Sequence, residues 1–192
     1  MAMNIRHLSI NVDGNLYTFG DNEYGQLGRY GNRAIPGKVP ISIPIIQASC
    51  GGTYTACIDA NNNIWVFGNN GSRQLGLGGT RLRTKSQIGY PMKIPNHKAK
   101  IISCGQLHTA FIDPKDHIWT FGNNEYLQLG LLRNKSPFHP TEITQVYNQG
   151  RIIKRDFRVK QVHCGEYITV FIDLEKNLWV AGRDKTLNIK SK

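Results

Sequence analysis

The sequence predicts an all-β fold, a partial or open β-propeller of about three and a half four-stranded blades. Three observations indicate it. A strand motif ending in glycine recurs four times in 192 residues, the repeat is about 50 residues long, and the apolar runs are too short for helices. Four short strands per repeat of about this length are typical of propeller blades. So few blades cannot close a ring, so we expect completion by self-association or by a partner.

The recurring motif is an apolar, aromatic strand that ends on glycine. Its copies are Leu16–Gly20, Ile64–Gly68, Ile118–Gly122 and Leu178–Gly182. The four glycines lie 48, 54 and 60 residues apart, because the loops between copies lengthen along the chain. Glycine at this position permits a positive φ or a close approach of two backbones. We therefore interpret these positions as structural: Gly20, Gly68, Gly122 and Gly182.

The second copy shows how each unit would be built. Four short runs rich in β-branched or aromatic residues predict strands over Lys38–Ile43, Ile45–Cys50, Tyr54–Asp59 and Asn63–Phe67. Both faces of the last run are apolar, as expected for a sheet that lies between two neighbours. The first three copies continue into Gln-Leu-Gly, and we expect this leucine to hold the following loop against the core.

Two further columns repeat with the motif. They contain Trp65, Trp119 and Trp179 in the aromatic strand, and Cys50, Cys104 and Cys164 upstream of it. Regular recurrence predicts structural roles for both columns. We expect the tryptophans to pack between blades rather than stack on nucleobases. We expect the cysteines to fill the tight inner part of each blade.

At this level of detail the repeat resembles a known family. Residues 104–130 read Cys-Gly-x-x-His-Thr-Ala-x-x-Asp, followed by Ile-Trp-x-Phe-Gly-x-Asn-x-x-x-Gln-Leu-Gly. This pattern is similar to the regulator of chromosome condensation repeat, and the resemblance covers nearly the whole chain. It implies a propeller that usually closes with seven blades. It also implies that some members are guanine-nucleotide exchange factors for small GTPases and bind chromatin, although no exchange residue can be matched here.

The boundaries predict a single repeat domain over residues 4–184, followed by a basic C-terminal tail over 185–192. The repeat units are expected at 4–30, 38–80, 90–132 and 140–184. Leu8 is placed in one column with Tyr54, His108 and Ile168. About 14 strands per chain would let two chains supply roughly the 28 strands of seven four-stranded blades, which makes a homodimer one way to close the ring.

The sequence predicts no catalytic, metal or cofactor site. His108 has Tyr54 and Ile168 in its column, so we interpret it as a core residue. The remaining histidines lack H-E-x-x-H spacing, and the four cysteines form no C-x-x-C pair. The abundant glycines match neither a P-loop nor a dinucleotide-binding pattern.

The repeat does not explain the charge. With 24 Lys and Arg against 13 Asp and Glu, the net charge is +11, above the roughly 2 to 8 charges that solubility needs. The predicted partner-binding residues are Arg151, Lys154, Arg155, Arg158 and Lys160 in the longest insertion, with Arg81, Arg83 and Lys85 in another loop. On one rim they would form a positive surface for nucleic acid, an acidic protein surface or an anionic membrane. The alternative is that these loops are simply solvated.

Three functions stay open at this point. The leading hypothesis is a non-catalytic interaction module that binds a protein or nucleic-acid partner through basic loops. The alternatives are guanine-nucleotide exchange on a small GTPase, and a structural role in a larger assembly such as a virus particle. No apolar run reaches the roughly 18 residues of a membrane span, and no signal peptide is recognisable. We expect an unsecreted, intracellular protein of the cytoplasm or nucleus, or of a virion.

Overall fold

The computed structural model describes residues 6–78, 85–131, 136–148 and 151–183, and within these ranges every regular element is a β-strand. In the same ranges no helix is long and apolar enough to cross a membrane. The strands are β1 (Arg6–Ile10), β2 (Leu16–Gly20), β3 (Gly37–Lys38), β4 (Ile45–Cys50), β5 (Tyr54–Asp59), β6 (Asn63–Asn69), β7 (Gln87–Lys98), β8 (Ile101–Cys104), β9 (His108–Ile112), β10 (Ile118–Gly122), β11 (Thr141–Glu142), β12 (Gln145–Asn148), β13 (Arg151–Arg155), β14 (Val159–Cys164), β15 (Ile168–Asp173) and β16 (Leu178–Gly182).

Fourteen of these strands form four antiparallel meanders in chain order. The sheets are β1-β2-β3, β4-β5-β6-β7, β8-β9-β10-β11 and β14-β15-β16. The other two strands, β12 and β13, pair only with each other as a hairpin between the third and fourth sheets. The all-β, partial-propeller prediction is confirmed, with blades of three, four, four and three strands in the described residues.

The outermost strand of a blade follows the Gln-Leu-Gly loop and does not precede the unit, so the strand predicted over Lys38–Ile43 is wrong. Lys38 pairs with Tyr17, and the Val39 N–H donates to the Leu16 carbonyl at 2.8 Å, so this segment belongs to the first sheet. Beyond it Pro40 lacks the N–H that a central strand needs. The fourth strand of the second blade is β7, and the first three sheets therefore end later than the units predicted for them.

Strand register also corrects one column of the repeat. The residues opposite the four motif glycines are Arg6, Tyr54, His108 and Ile168. Leu8 instead pairs with Thr18, two residues further on. The first copy has no Cys-Gly landmark upstream, but the spacing was an available signal: the paired residue lies 14 positions before the glycine in every copy, and counting back from Gly20 gives Arg6.

The core lies between successive sheets, one cluster for each of the three contacts. Leu16 and Phe67 belong to the cluster between the first and second sheets, and Ile112 and Phe171 to that between the third and fourth. Strands β5 and β9 are buried along their whole length, because each lies in a sheet covered on both faces. The first strands of three sheets, β4, β8 and β14, lie side by side and line a groove of about 450 Å³.

Candidate functional site

The sheets have two ends, which carry different chemistry. We call one the turn rim, formed by the hairpin turns at 60–62, 114–117 and 174–177. The opposite end is the glutamine rim, formed by the Gln-Leu-Gly loops at 26–28, 74–76 and 128–130. Because the strands are antiparallel, each loop can be assigned to one rim from the strands that flank it.

At the turn rim a repeated aspartate ties each hairpin together. Asp59 Oδ1 accepts hydrogen bonds from the Asn61 and Asn63 N–H groups, both at 2.9 Å. Its Oδ2 accepts from Asn63 Nδ2 at 2.7 Å and from the Trp65 indole Nε1 at 2.8 Å. The same contacts recur around Asp113 and Asp173, which bond to Trp119 and Trp179. The tryptophans are half-buried and brace their own hairpins as well as packing against the core between sheets.

These contacts change the acidity of the aspartates. Burial by itself raises the pKa of Asp59, but donors from Trp65, Asn63 and two backbone N–H groups lower the pKa overall. Asp113 behaves in the same way, with His117 as the strongest donor lowering its pKa. Both carboxylates are therefore committed to structure and are poor candidates for proton transfer.

The glutamine rim joins one sheet to the next. The carbonyl of each repeat glutamine accepts a hydrogen bond from a threonine of the following sheet. These bonds run from Thr55 Oγ1 to Gln26 at 2.8 Å, from Thr109 Oγ1 to Gln74 at 2.9 Å and from Thr169 Oγ1 to Gln128 at 2.6 Å. The leucine that follows each glutamine is buried, so the motif is a structural link between blades.

Side chains of one inner strand cap the backbone of the next. The Gln47 amide accepts from the Ile102 N–H at 3.0 Å and donates to its carbonyl at 3.2 Å. Ser49 Oγ accepts from the Cys104 N–H at 3.0 Å. Gln161 and His163 hold the equivalent positions on β14 and are exposed. They face no further sheet among the described residues.

The buried titratable groups lack the properties of catalysts. Burial raises the pKa of Cys164 to about 12 and that of Cys57 further still. Thiols held protonated in this way are weak nucleophiles. Burial lowers the pKa of His108 to about 4, and its Nε2 lies 2.9 Å from Thr169 Oγ1. Within the described ranges no group of three His, Cys, Asp or Glu side chains is arranged to hold a metal.

The structure places most of the basic insertion at the turn rim. Arg151, Lys154 and Arg155 lie on β13 of the hairpin. The hairpin begins at this rim, where the Ile143 N–H donates to the Ile118 carbonyl at 2.9 Å. Arg158 bonds to the Lys115 carbonyl at 2.9 Å and to Asp156 Oδ1 at 2.8 Å. Lys160, two residues further along the chain on β14, is exposed.

Lys85 does not join this group, so the eight predicted residues do not share one rim. It is exposed at the glutamine rim, where its carbonyl accepts from Asn70 Nδ2 at 3.1 Å. Arg81, Arg83 and the tail over 185–192 lie outside the described residues. The sequence reasoning missed Lys115 and Lys176, which are exposed at the turn rim. Their position just after the repeated aspartate was the available signal.

Comparisons with known proteins identify the family of the repeat. A family described as the regulator of chromosome condensation (RCC1) repeat matches residues 13–58, 61–112 and 115–172. The probable E3 ubiquitin-protein ligase HERC6 of Homo sapiens is 28% identical over 169 residues, which cover 85% of this chain and 16% of HERC6. Protein RCC2 homolog of Danio rerio is 26% identical over 185 residues, covering 82% and 36% respectively.

Solved structures agree on the fold. Yeast RCC1 (Prp20), in a crystal structure bound to Kap60, matches with a TM-score of 0.76 at 16% identity. The match covers 92% of this chain and 41% of that one. The chain therefore spans well under half the length of each of these proteins.

Proposed function

Because the chain belongs to the regulator of chromosome condensation repeat family, we propose that it is a non-catalytic interaction module that binds an acidic protein segment at its turn rim. The observation that carries this proposal is the β12–β13 hairpin. It leaves the turn rim between the third and fourth sheets, belongs to no blade, and carries three of the five basic residues of the insertion. Because β12 and β13 form a sheet of their own, the hairpin contributes no strand to any blade.

The charges around the hairpin support an acidic partner. Lys115, Lys160 and Lys176 are exposed at this rim and form no ion pair with another described residue. The carboxylates of this rim are already engaged. Asp59, Asp113 and Asp173 accept the hydrogen bonds of their own turns, Asp156 pairs with Arg158 at 2.8 Å, and Asp116 pairs with Lys100 at 2.6 Å. The three lysines without an acidic partner, together with the basic hairpin, would steer an acidic segment towards this part of the rim, and salt would weaken that attraction.

A protein partner is favoured over a reaction at this surface. The aspartates of the turn rim hold the hairpins together, and the buried thiols and His108 are kept neutral by burial. The similar yeast RCC1 was crystallised bound to another protein, Kap60. The ligase named among the relatives is matched over only 16% of its length, so its activity does not carry over. The four cysteines, all among the described residues, form no disulfide with one another, which supports an intracellular location.

The proposal predicts a local charge effect. Lys154→Glu combined with Lys160→Glu should weaken binding of a fluorescent polyglutamate peptide by about tenfold or more, because it removes attraction at the contact. Anisotropy titration at about 0.1 M salt measures this. The matched control is Lys85→Glu with Lys93→Glu, two exposed lysines at the glutamine rim and on β7, outside the turns and the hairpin, that give the same change of four charges.

Equal weakening by both pairs would contradict the proposal, since net charge alone would then explain binding. Duplex DNA is titrated in the same way. If it binds more tightly than the peptide and is weakened by the turn-rim substitutions alone, the partner is a nucleic acid and not an acidic protein. Faster release of fluorescent guanine nucleotide from any of a panel of small GTPases would favour the exchange-factor alternative.

Completion by a partner is also favoured over completion by a second copy. Two copies would contribute 28 blade strands, twice the 14 described, but they would form eight sheets of which four are three-stranded. Among residues 6–78 the first sheet has no strand equivalent to β4 and β8, so this range offers no backbone for Gln161 and His163 of another copy to cap. We therefore expect a monomeric mass in gel filtration with light scattering, and a dimeric mass would reverse this preference.

A further inference from the structure

One position on the inner strands breaks the capping pattern between neighbouring sheets. Three residues before the repeated cysteine, the second and fourth repeats carry Gln47 and Gln161, whereas the third carries Ile101. The Gln47 carboxamide bonds to both the N–H and the carbonyl of Ile102 on β8. An isoleucine side chain has no polar atom, so Ile101 cannot cap Val162, the equivalent residue of β14, in this way.

The main-chain N–H and carbonyl of Val162 point away from their own sheet. The Cys164 N–H is directed towards the third sheet, where it donates to Ser103 Oγ at 2.9 Å. Main-chain groups of alternate residues along a strand face the same side, so those of Val162, two residues earlier, face the third sheet as well. Within the described ranges no side chain bonds to them, although Val162 is only 2% exposed. Buried main-chain groups nearly always have a partner.

Val162 lines the groove of about 450 Å³ between the inner strands β4, β8 and β14. Ile101 lies in the wall of this groove as well, and the exposed Gln161 and His163 lie beside it. The volume is typical of clefts that bind ligands through a few placed polar groups. The N–H and carbonyl of Val162 are one donor and one acceptor, and a primary carboxamide offers the matching acceptor and donor.

We propose that this groove binds the side-chain carboxamide of a glutamine in an extended protein segment. The amide oxygen accepts from the Val162 N–H, and the amide N–H donates to the Val162 carbonyl. The fold already makes this pair of bonds once, from Gln47 to Ile102 at 3.0 and 3.2 Å, and there too the glutamine extends from a strand. The groove lies on the inner strands, so the proposal does not depend on an acidic partner at the turn rim.

Exchanging the residues of the two repeats tests the site on the protein alone. Ile101→Gln installs the missing cap, so amide hydrogen exchange at Val162, followed by NMR, should slow by about tenfold or more. Gln47→Ile is the reverse change and should speed exchange at Ile102 by a similar factor. In the wild-type protein Val162 should already exchange faster than Ile102. Equal exchange of these two wild-type amides, or no response of Val162 to Ile101→Gln, would overturn the proposal.

Titration with the peptide Ser-Gly-Gln-Gly-Ser tests binding to the full chain. The control peptide Ser-Gly-Met-Gly-Ser has a side chain of similar length without an amide. The Val162 amide resonance should shift with the glutamine peptide at a concentration lower by about fivefold or more, the effect of a net hydrogen bond. Ile101→Gln should abolish this shift, and Gln47→Ile should add a shift at Ile102.

Three results of this titration would overturn the proposal. They are equal shifts with both peptides, no shift of the Val162 amide at about 10 mM peptide, and an equally strong shift with free glutamine, which would remove the need for a protein segment. None of these outcomes bears on the turn rim, because neither peptide carries an acidic side chain.

Discussion

Gly122→Ala is expected to lower the free energy of unfolding by about 3 kcal/mol or more. Gly122 ends the aromatic strand of the third blade with a φ of 104°, a conformation that side chains disfavour. A Cβ there would lie 2.6 Å from the Leu107 carbonyl oxygen and 2.8 Å from His108 Cα. Both obstacles are backbone atoms of the neighbouring strand or its turn, so rotamer changes cannot relieve the clash. Urea unfolding measures the loss.

Gly89→Ala is the matched control for this substitution. Gly89 lies in strand β7, and the nearest atom to an added Cβ is Gly25 Cα at 3.9 Å, which is ordinary contact. Its φ is not in the positive range, so we expect a change within about 0.5 kcal/mol. Similar losses for the two variants would mean that the strand–glycine corner is not a constrained feature of the blade.

Asp59→Ala is expected to cost about 3 kcal/mol, the second largest effect. The substitution removes the carboxylate that accepts four hydrogen bonds. The half-buried Trp65 indole N–H and the Asn63 amide are then left without an acceptor. Donors stranded in this way cost about 1–3 kcal/mol each. Thermal and urea unfolding should show the loss. Asp13→Ala, at an exposed turn of the first sheet, should change stability by no more than about 0.5 kcal/mol.

The Asp59 carboxylate should also make the stability of the protein depend on pH. Burial favours a higher pKa, but the donors around Asp59 lower the pKa overall. A lowered native pKa means that the stabilisation is complete above the unfolded value of about 3.9 and is lost as the pH falls below it. The wild-type protein should therefore lose more stability than Asp59→Ala between about pH 6 and pH 3. Parallel pH profiles would contradict this assignment.

The repeat itself was predictable because its signals are local. Glycine after an aromatic strand, aspartate before a turn and apolar residues on both strand faces each reflect contacts within one blade or its immediate neighbour. Which segment supplies the fourth strand of a blade could not be predicted from local sequence. Lys38–Ile43 and Gln87–Lys98 both have strand-forming composition, and only the pairing of β7 with β6 and of Lys38 with Tyr17 separates them.

The positions of the candidate site residues could not be predicted from composition, because they depend on strand direction and on hydrogen bonds. Lys85 and Lys160 look alike in sequence, but strand direction places them at opposite rims. Ile101 had a visible signal, because its position holds glutamine in the second and fourth repeats. That difference became informative only when the Gln47 carboxamide was found bonded to the Ile102 backbone.

The most direct test of the account is a hydrogen-exchange footprint of the whole chain with and without polyglutamate peptide. The basic turn rim predicts slower exchange in residues 145–148 and 151–160 and in the turn at 114–117, with little change at 26–36 or 74–78. Protection centred on the glutamine rim, or no protection at saturating peptide, would contradict the claim that the turn rim binds an acidic partner.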